Sequence, residues 1–224
     1  MVFNSLLNFI NNSYVFSKKR VHSLYLGSNI YDRRITSSTV SSLEYYPSPN
    51  LLDSLIKYDK KKINIENYSL NKIWDNKNLK KKDHKNLNSF FWLFSLDLKS
   101  SKKDTQDTIL QWIDKNHRYD SKSWEVDIVA KRIIAWTSNS RLTYEDGSPD
   151  YKNKFNWIIK KQINHLINEI ERSEWVDDKM IGCAAIILTG LSYKDKGQYL
   201  KTGLNLLRKL VKFSFDNDGF PKSR

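Results

Sequence analysis

From residue 88 onward, apolar side chains recur at helical spacing. Phe90, Phe91, Trp92, Leu93, Phe94, Leu96 and Leu98 make one dense apolar segment. Ile109, Leu110, Trp112 and Ile113 then put a helical pattern on 105–116. Ser123 reads as the N-cap of a helix carrying Val126, Val129, Ile133, Ile134 and Trp136. Residues 150–172 form a long amphipathic helix with Phe155, Ile158, Ile159, Ile163, Leu166, Ile167 and Ile170 on one side. The segment 177–191 is apolar nearly all round, which makes it the expected inner member of its layer. A short turn leads from it into a helix over 198–215. Short connections make successive helices antiparallel neighbours.

Residues 1–86 lack this order and read as an irregular extension with basic linkers. Leu6 and Leu7 suit a short helix. Gly27-Ser28-Asn29, the Ser/Thr run over 36–42, and Pro47 and Pro49 mark turns and extended chain. The basic stretches 57–62 and 77–85 read as solvated connectors, and Ile63, Ile65 and Tyr68 between them as a short strand. The helical part, 87–224, pairs buried with outer helices, so the expected class is all-α: an incomplete α/α toroid of antiparallel helical hairpins. No fixed-period repeat is present, which argues against a tetratricopeptide-type array. Asp218-Gly219, Pro221 and Ser223 read as a turn and an N-cap for another helix, so the domain is expected to continue past Arg224.

Composition narrows the function classes. The chain has 224 residues, 39% hydrophobic and 13% aromatic, with seven Trp, twelve Tyr and ten Phe. That describes a folded protein whose apolar surface is concentrated in large rings. The one cysteine, Cys183, excludes an intramolecular disulfide and lies in an apolar run, as a small buried thiol would. No stretch reaches the ~18 consecutive apolar residues of a membrane span. The N-terminal apolar stretch lacks a preceding basic region and is broken by Asn11-Asn12, so no signal peptide is read and the expected compartment is the cytoplasm. The formal charge of +13 has two readings: a polyanionic partner, polysaccharide or nucleic acid, or AT-rich codon usage, which the abundance of Lys, Asn and Ile also fits.

Several landmarks follow one another in a familiar order. Leu87-Asn88 and Phe91-Trp92-Leu93 come first, then Trp124, then Lys131-Arg132-Ile133-Ile134 with Trp136. Asn164-His165-Leu166, the run 185–191 and finally Asp218-Gly219 with Ser223-Arg224 complete the series. Over roughly residues 20–224 the chain resembles the heparinase II/III-like proteins, polysaccharide lyases and relatives with an N-terminal α/α toroid and a C-terminal β-sandwich. The resemblance implies a toroid part without its sandwich, an acidic, uronate-containing polysaccharide as partner, and a periplasmic alternative to the cytoplasm. It also implies β-elimination in the full-length protein: a base takes the C5 proton of a uronic acid while another group neutralises the carboxylate. The family's neutralising Asn falls by register at or near Asp177 or Asp178. Its Asp-Gly-Gly-His run has Phe220 and Pro221 in the last two places. The family's Tyr and His find no position here. These departures predict a chain without lyase activity of its own.

Candidate substrate-binding residues are Arg132, Trp136, Trp175, Asp177, Asp178 and Arg224. Arg132 offers a bidentate fork for a sugar carboxylate, or else a helix-to-helix salt bridge to Glu169 or Glu171. Trp92, Trp136 and Trp175 suit either pyranose stacking or the core, with Trp175 set apart by its polar neighbours. Asp177 and Asp178 suit the neutralising position or the capping of a helix start. Arg224 would line the cleft by resemblance. His165 reads as a surface or capping residue. None of His22, His84 and His117 has a carboxylate or second His at i+4 in a ligand-like arrangement, so no metal is implied, and no cofactor loop or nucleophile elbow is present. The rival to the lyase reading is a non-enzymatic basic helical module that binds an anionic polymer or nucleic acid.

Overall fold

Helix formation begins well before the segment where the apolar period announces it. The computed structural model describes residues 16–36, 42–45, 74, 80–95, 102–193, 197–216, 218–220 and 222. Within these, α1 (16–26) ends at the Gly27-Ser28 turn, and α2 (Asn29–Ile35) follows at once. The Ser28 side chain caps α2 by accepting from the Tyr31 amide at 3.2 Å. The irregular extension expected over 1–86 is thus helical in this stretch. The sequence conceals α2 because it docks through polar atoms. Lys161 Nζ donates to Asp32 at 2.6 Å, Asn164 donates to the Ile35 carbonyl at 2.8 Å, and Tyr31 hydroxyl meets His165 at 2.8 Å. The short helix expected at Leu6 and the strand expected at Ile63 lie outside the described residues.

The basic run expected as a connector also proves partly helical. It holds α3 (Lys81–Ser89), which stops at Phe90. Phe90 has φ of 54°, a left-handed backbone that costs a non-glycine residue about 1–2 kcal/mol. Its ring offsets that cost by complete burial among Trp92, Trp112 and Trp136, with centroids 5.4, 6.2 and 5.0 Å away. A 3₁₀ segment (Phe91–Ser95) leads away from it, and α4 (Lys102–Asn116) follows.

Next come α5 (Val126–Ser138), the short α6 (Ser140–Thr143) and α7 (Pro149–Glu169). Ser148 caps α7 and Pro149 occupies its first turn, where a missing N–H costs nothing. A 3₁₀ turn (Ile170–Arg172) joins α7 to α8 (Val176–Ser192), and α9 (Gly197–Ser214) completes the order. The regular elements among the described residues are all helical, and an isolated antiparallel bridge joins Leu43 to Tyr193.

The innermost helix is α5 rather than the more apolar α8. Ten of its thirteen residues are buried, and it touches α3, α6, α7, α8 and the first 3₁₀ segment. Polar residues disguise it in the sequence, and part of their hydrogen-bonding capacity is met inside. Thr137 Oγ1 donates to the Ile133 carbonyl at 2.8 Å, for example. Arg132 Nη2, Trp136 Nε1 and Ser138 Oγ are buried without a hydrogen-bond partner among the described residues. The opening of α5 also differs from the sequence reading. Ser123 lies in a preceding turn, where Asp120 accepts from its amide and hydroxyl, and the helix starts at Val126.

Helix α8 lies between α5 and α9. Gly190 approaches Leu200 while Gly203 approaches Ile187, so position numbers rise on one helix as they fall on the other: α8 and α9 are antiparallel. No helix among the described residues is long and apolar enough to cross a membrane.

Candidate functional site

The starts of α5 and α8 come together beside the end of α7 and enclose an open groove of about 420 Å³. Its walls include Glu125 and Asp127 at the start of α5, Glu169 and Arg172 at the turn after α7, and Glu174, Trp175 and Asp178 at the start of α8. Leu26, Tyr119, Trp124 and His165 also line it. Trp175 projects into solvent with 70% of its surface exposed.

The carboxylates of the groove are largely paired. Lys85 meets Glu125, and Lys131 meets Asp127 at 3.4 Å. His22 lies 2.7 Å and Arg172 3.7 Å from Glu169, and Lys19 lies 2.7 Å from Glu174. Asp178 accepts from the Ser173 hydroxyl at 3.2 Å. Partial burial and the nearby Asp127 charge push its carboxyl up from the ordinary range, against the opposing pull of Ser173, Lys131 and Lys85.

Beneath this wall the groups are neutral and fixed. His165, expected at the surface, is buried on α7. Its Nε2 donates to the Trp124 carbonyl at 3.0 Å, which leaves Nδ1 to accept from the Tyr31 hydroxyl. Burial drives the imidazole down to about 4, so it is uncharged at neutral pH. The Tyr119 hydroxyl is pushed up by burial and then by Glu169.

Two expected substrate contacts are corrected by burial. Arg132 is fully enclosed, with Nε donating to Gln162 at 3.0 Å and Nη1 to the Asn88 and Ser123 carbonyls at 2.7 and 3.1 Å. Its guanidinium stacks 3.9 Å from the centre of the Trp112 ring. These partners replace the expected salt bridge to Glu169 or Glu171. Trp136 is likewise interior, packed on Trp112 and Phe155, and Trp92 belongs to the same aromatic cluster. Neither Arg132 nor Trp136 reaches a surface ligand. Trp175 and Asp178 do line the groove, Asp177 is exposed in the same helical turn outside it, and Arg224 lies outside the described residues.

The groove residues that sequence reasoning missed are Glu125, Asp127, Glu169, Arg172 and Glu174, with Tyr119 and Trp124. One signal pointed to them: Trp124-Glu125-Val126-Asp127 and Trp175-Val176-Asp177-Asp178 each open a helix with an indole followed by acids. No family model matches the chain, and neither a curated protein nor a solved structure matches it.

A second hollow, about 320 Å³, lies between α8 and α9 and is lined by Cys183, Leu206, Leu210 and Phe213. Burial pushes the Cys183 thiol up to about 11, so it is inert rather than nucleophilic. Among the described residues no group of His, Cys, Asp and Glu is arranged to hold a metal ion. The groove therefore offers an indole face, hydrogen-bonding carboxyl groups and paired cations. That combination suits a polyhydroxylated ring: C–H faces lie on the indole while hydroxyls bridge the ion pairs.

Proposed function

We propose that the chain is the polysaccharide-holding helical part of a heparinase II/III-like protein, an α/α toroid in which the groove at Trp175 takes an acidic polysaccharide. The exposed Trp175 carries this reading. The open indole borders the charged groove, where its face is free to take the C–H side of a sugar ring. The resemblance points to the same place, since its neutralising position falls at Asp177 or Asp178 and Asp178 lines the groove. A charged carboxylate there would repel a uronate. Burial and the Asp127 charge push the Asp178 carboxyl up from the ordinary range, so it takes a proton more readily as pH falls, and once protonated it donates to a uronate instead of repelling it. Arg172, held loosely at 3.7 Å by Glu169, supplies a cation. Binding rather than elimination is assigned to these residues, and β-elimination is proposed only for the full-length family-type protein.

Titration of uronate polymers and neutral polysaccharides against the purified chain tests this. Uronate binding is expected to strengthen as pH falls toward the raised Asp178 value. Asp178→Asn should strengthen it at neutral pH and flatten the dependence, and Trp175→Ala should weaken it about tenfold. Binding that is indifferent to both substitutions, equal for any polyanion including DNA, and steeply salt-dependent would instead establish the basic-module reading.

A further inference from the structure

Helix α1 flanks the groove and α2 packs on α7, and the inner and outer faces of the two differ in kind. Inward, Leu26, Tyr31 and Ile35 are buried. Outward, Phe16, Val21, Leu24 and Ile30 are 66%, 66%, 70% and 74% exposed. Phe16, Arg20 and Leu24 follow one another at i, i+4 and i+8 with Val21 beside them, so they occupy one side of α1, away from Leu26. Lys18, Arg20, Arg33 and Arg34 of the same two helices are all exposed, while Lys19 turns to Glu174 on the groove side. The sole acid in 16–36 is Asp32, whose charge is taken by the buried Lys161.

We propose that the outer face of α1 and α2 is a docking surface for an anionic lipid bilayer. Each feature alone would fit other partners. Nucleic acid matches the four cations but has no use for four exposed aliphatic and aromatic side chains next to them. A protein interface takes the apolar groups but excludes charge from its centre. A bilayer surface takes both at once: apolar side chains enter the boundary of headgroups and acyl chains, while Lys and Arg meet lipid phosphates. Attachment is interfacial and reversible, in keeping with helices too short and too charged to span. On the groove side, His22 and Lys19 of α1 hold Glu169 and Glu174. A chain so attached presents its groove beside the membrane surface. This inference stands on α1 and α2 alone and does not depend on what the groove binds.

Co-sedimentation of the full chain with phosphatidylcholine vesicles, with and without phosphatidylglycerol, tests it. Retention is expected on the anionic vesicles only, falling as salt rises. Phe16→Ser with Leu24→Ser should lower the partition coefficient by tenfold or more, and Arg20→Glu by roughly 25-fold. These side chains face water, so circular dichroism and Tm should be unchanged. Slower amide exchange over 16–36 on adding the anionic vesicles would locate the contact. The proposal is overturned by equal retention on both vesicle types, by no retention, by variants that bind as the parent does, or by slowed exchange confined to another segment. Stronger binding to a DNA duplex than to anionic vesicles at the same salt would also overturn it, in favour of a nucleic-acid surface.

Discussion

Replacing Gly190 with alanine should detach α9 from α8. A Cβ built on Gly190 would lie 2.3 Å from the Leu200 amide nitrogen and 2.7 Å from its Cα. Both are backbone atoms, so no rotamer change relieves the contact, and the helices must separate by at least about 1 Å to reach ordinary van der Waals distance. Two effects compete. Glycine to alanine inside a helix gains about 1 kcal/mol from propensity. Overpacking against fixed atoms costs about 1–3 kcal/mol or more, and the separation also loosens Gly203 against Ile187 along the same seam. The clash should win, with a net loss of about 2 kcal/mol. Gly197→Ala is the control, because nothing lies within 4 Å of its Cβ position. The assay uses the one cysteine: Cys183 is buried on α8 in the hollow lined by Leu206 and Leu210 of α9. Its reaction with a disulfide-exchange reagent reports opening of α9, and urea titration reports global stability. A Gly190→Ala protein with parental urea midpoint and an unreactive Cys183 would refute the seam geometry.

Other substitutions probe the interior and the groove. Asp32→Ala should destabilise by about 3 kcal/mol because it leaves Lys161 charged and buried, whereas Lys161→Met, which removes the charge too, should cost less. Urea midpoints decide the order. Arg132→Met strands the Gln162 side-chain oxygen and the Asn88 and Ser123 carbonyls and should cost about 3–5 kcal/mol, also read from urea midpoints. Trp175→Ala, by contrast, should leave the thermal midpoint within experimental error while weakening polysaccharide binding. For His165 the folded value near 4 lies below the ordinary 6.5. Its contribution is therefore complete above pH 6.5 and lost as pH falls from 6.5 toward 4, by up to about 3 kcal/mol. His165→Gln should flatten this part of the stability profile in urea titrations made across that range.

Where the apolar period was strong, the sequence was a reliable guide. The helices expected over 105–116, 150–172, 177–191 and 198–215 all formed, with starts and ends within a few residues of expectation. Cys183 is buried as its apolar surroundings implied. Polarity of context set Trp175 apart, and it is exposed; Trp136, also taken as a candidate substrate contact, is buried. Failure came where polar atoms do the packing. Tyr31, Asp32 and Asn164 dock α2 through hydrogen bonds that no hydrophobic period records, and Arg132 was read as a groove residue although it lies inside the innermost helix. The groove was hidden for a further reason. Periodicity tells which face of a helix is buried, but not which helix ends meet, and residues 125–127 and 169–178 join only in space.

Those misread polar residues account for the shape of the groove. The segment between α4 and α5 would be free to move were it not tied from behind. Trp124 Nε1 donates to the Asn116 carbonyl at 2.9 Å, its own carbonyl accepts from His165, and the Ser123 carbonyl accepts from Arg132. Lys161 holds the His117 carbonyl at 2.7 Å in the same stretch. Each tie runs to a neighbouring helix: the end of α4, α5 or α7. The wall carrying Glu125 and Asp127 is therefore positioned by Arg132, which lies outside the groove lining, and by His165 at its floor. Binding of the proposed polymer there would incur little ordering of the backbone, so its affinity should depend on Trp175 and the rim charges. By the same reasoning, loss of Arg132 should weaken binding only in proportion to how far the 117–125 segment loosens, and loss of Trp175 should weaken it with the segment still in place.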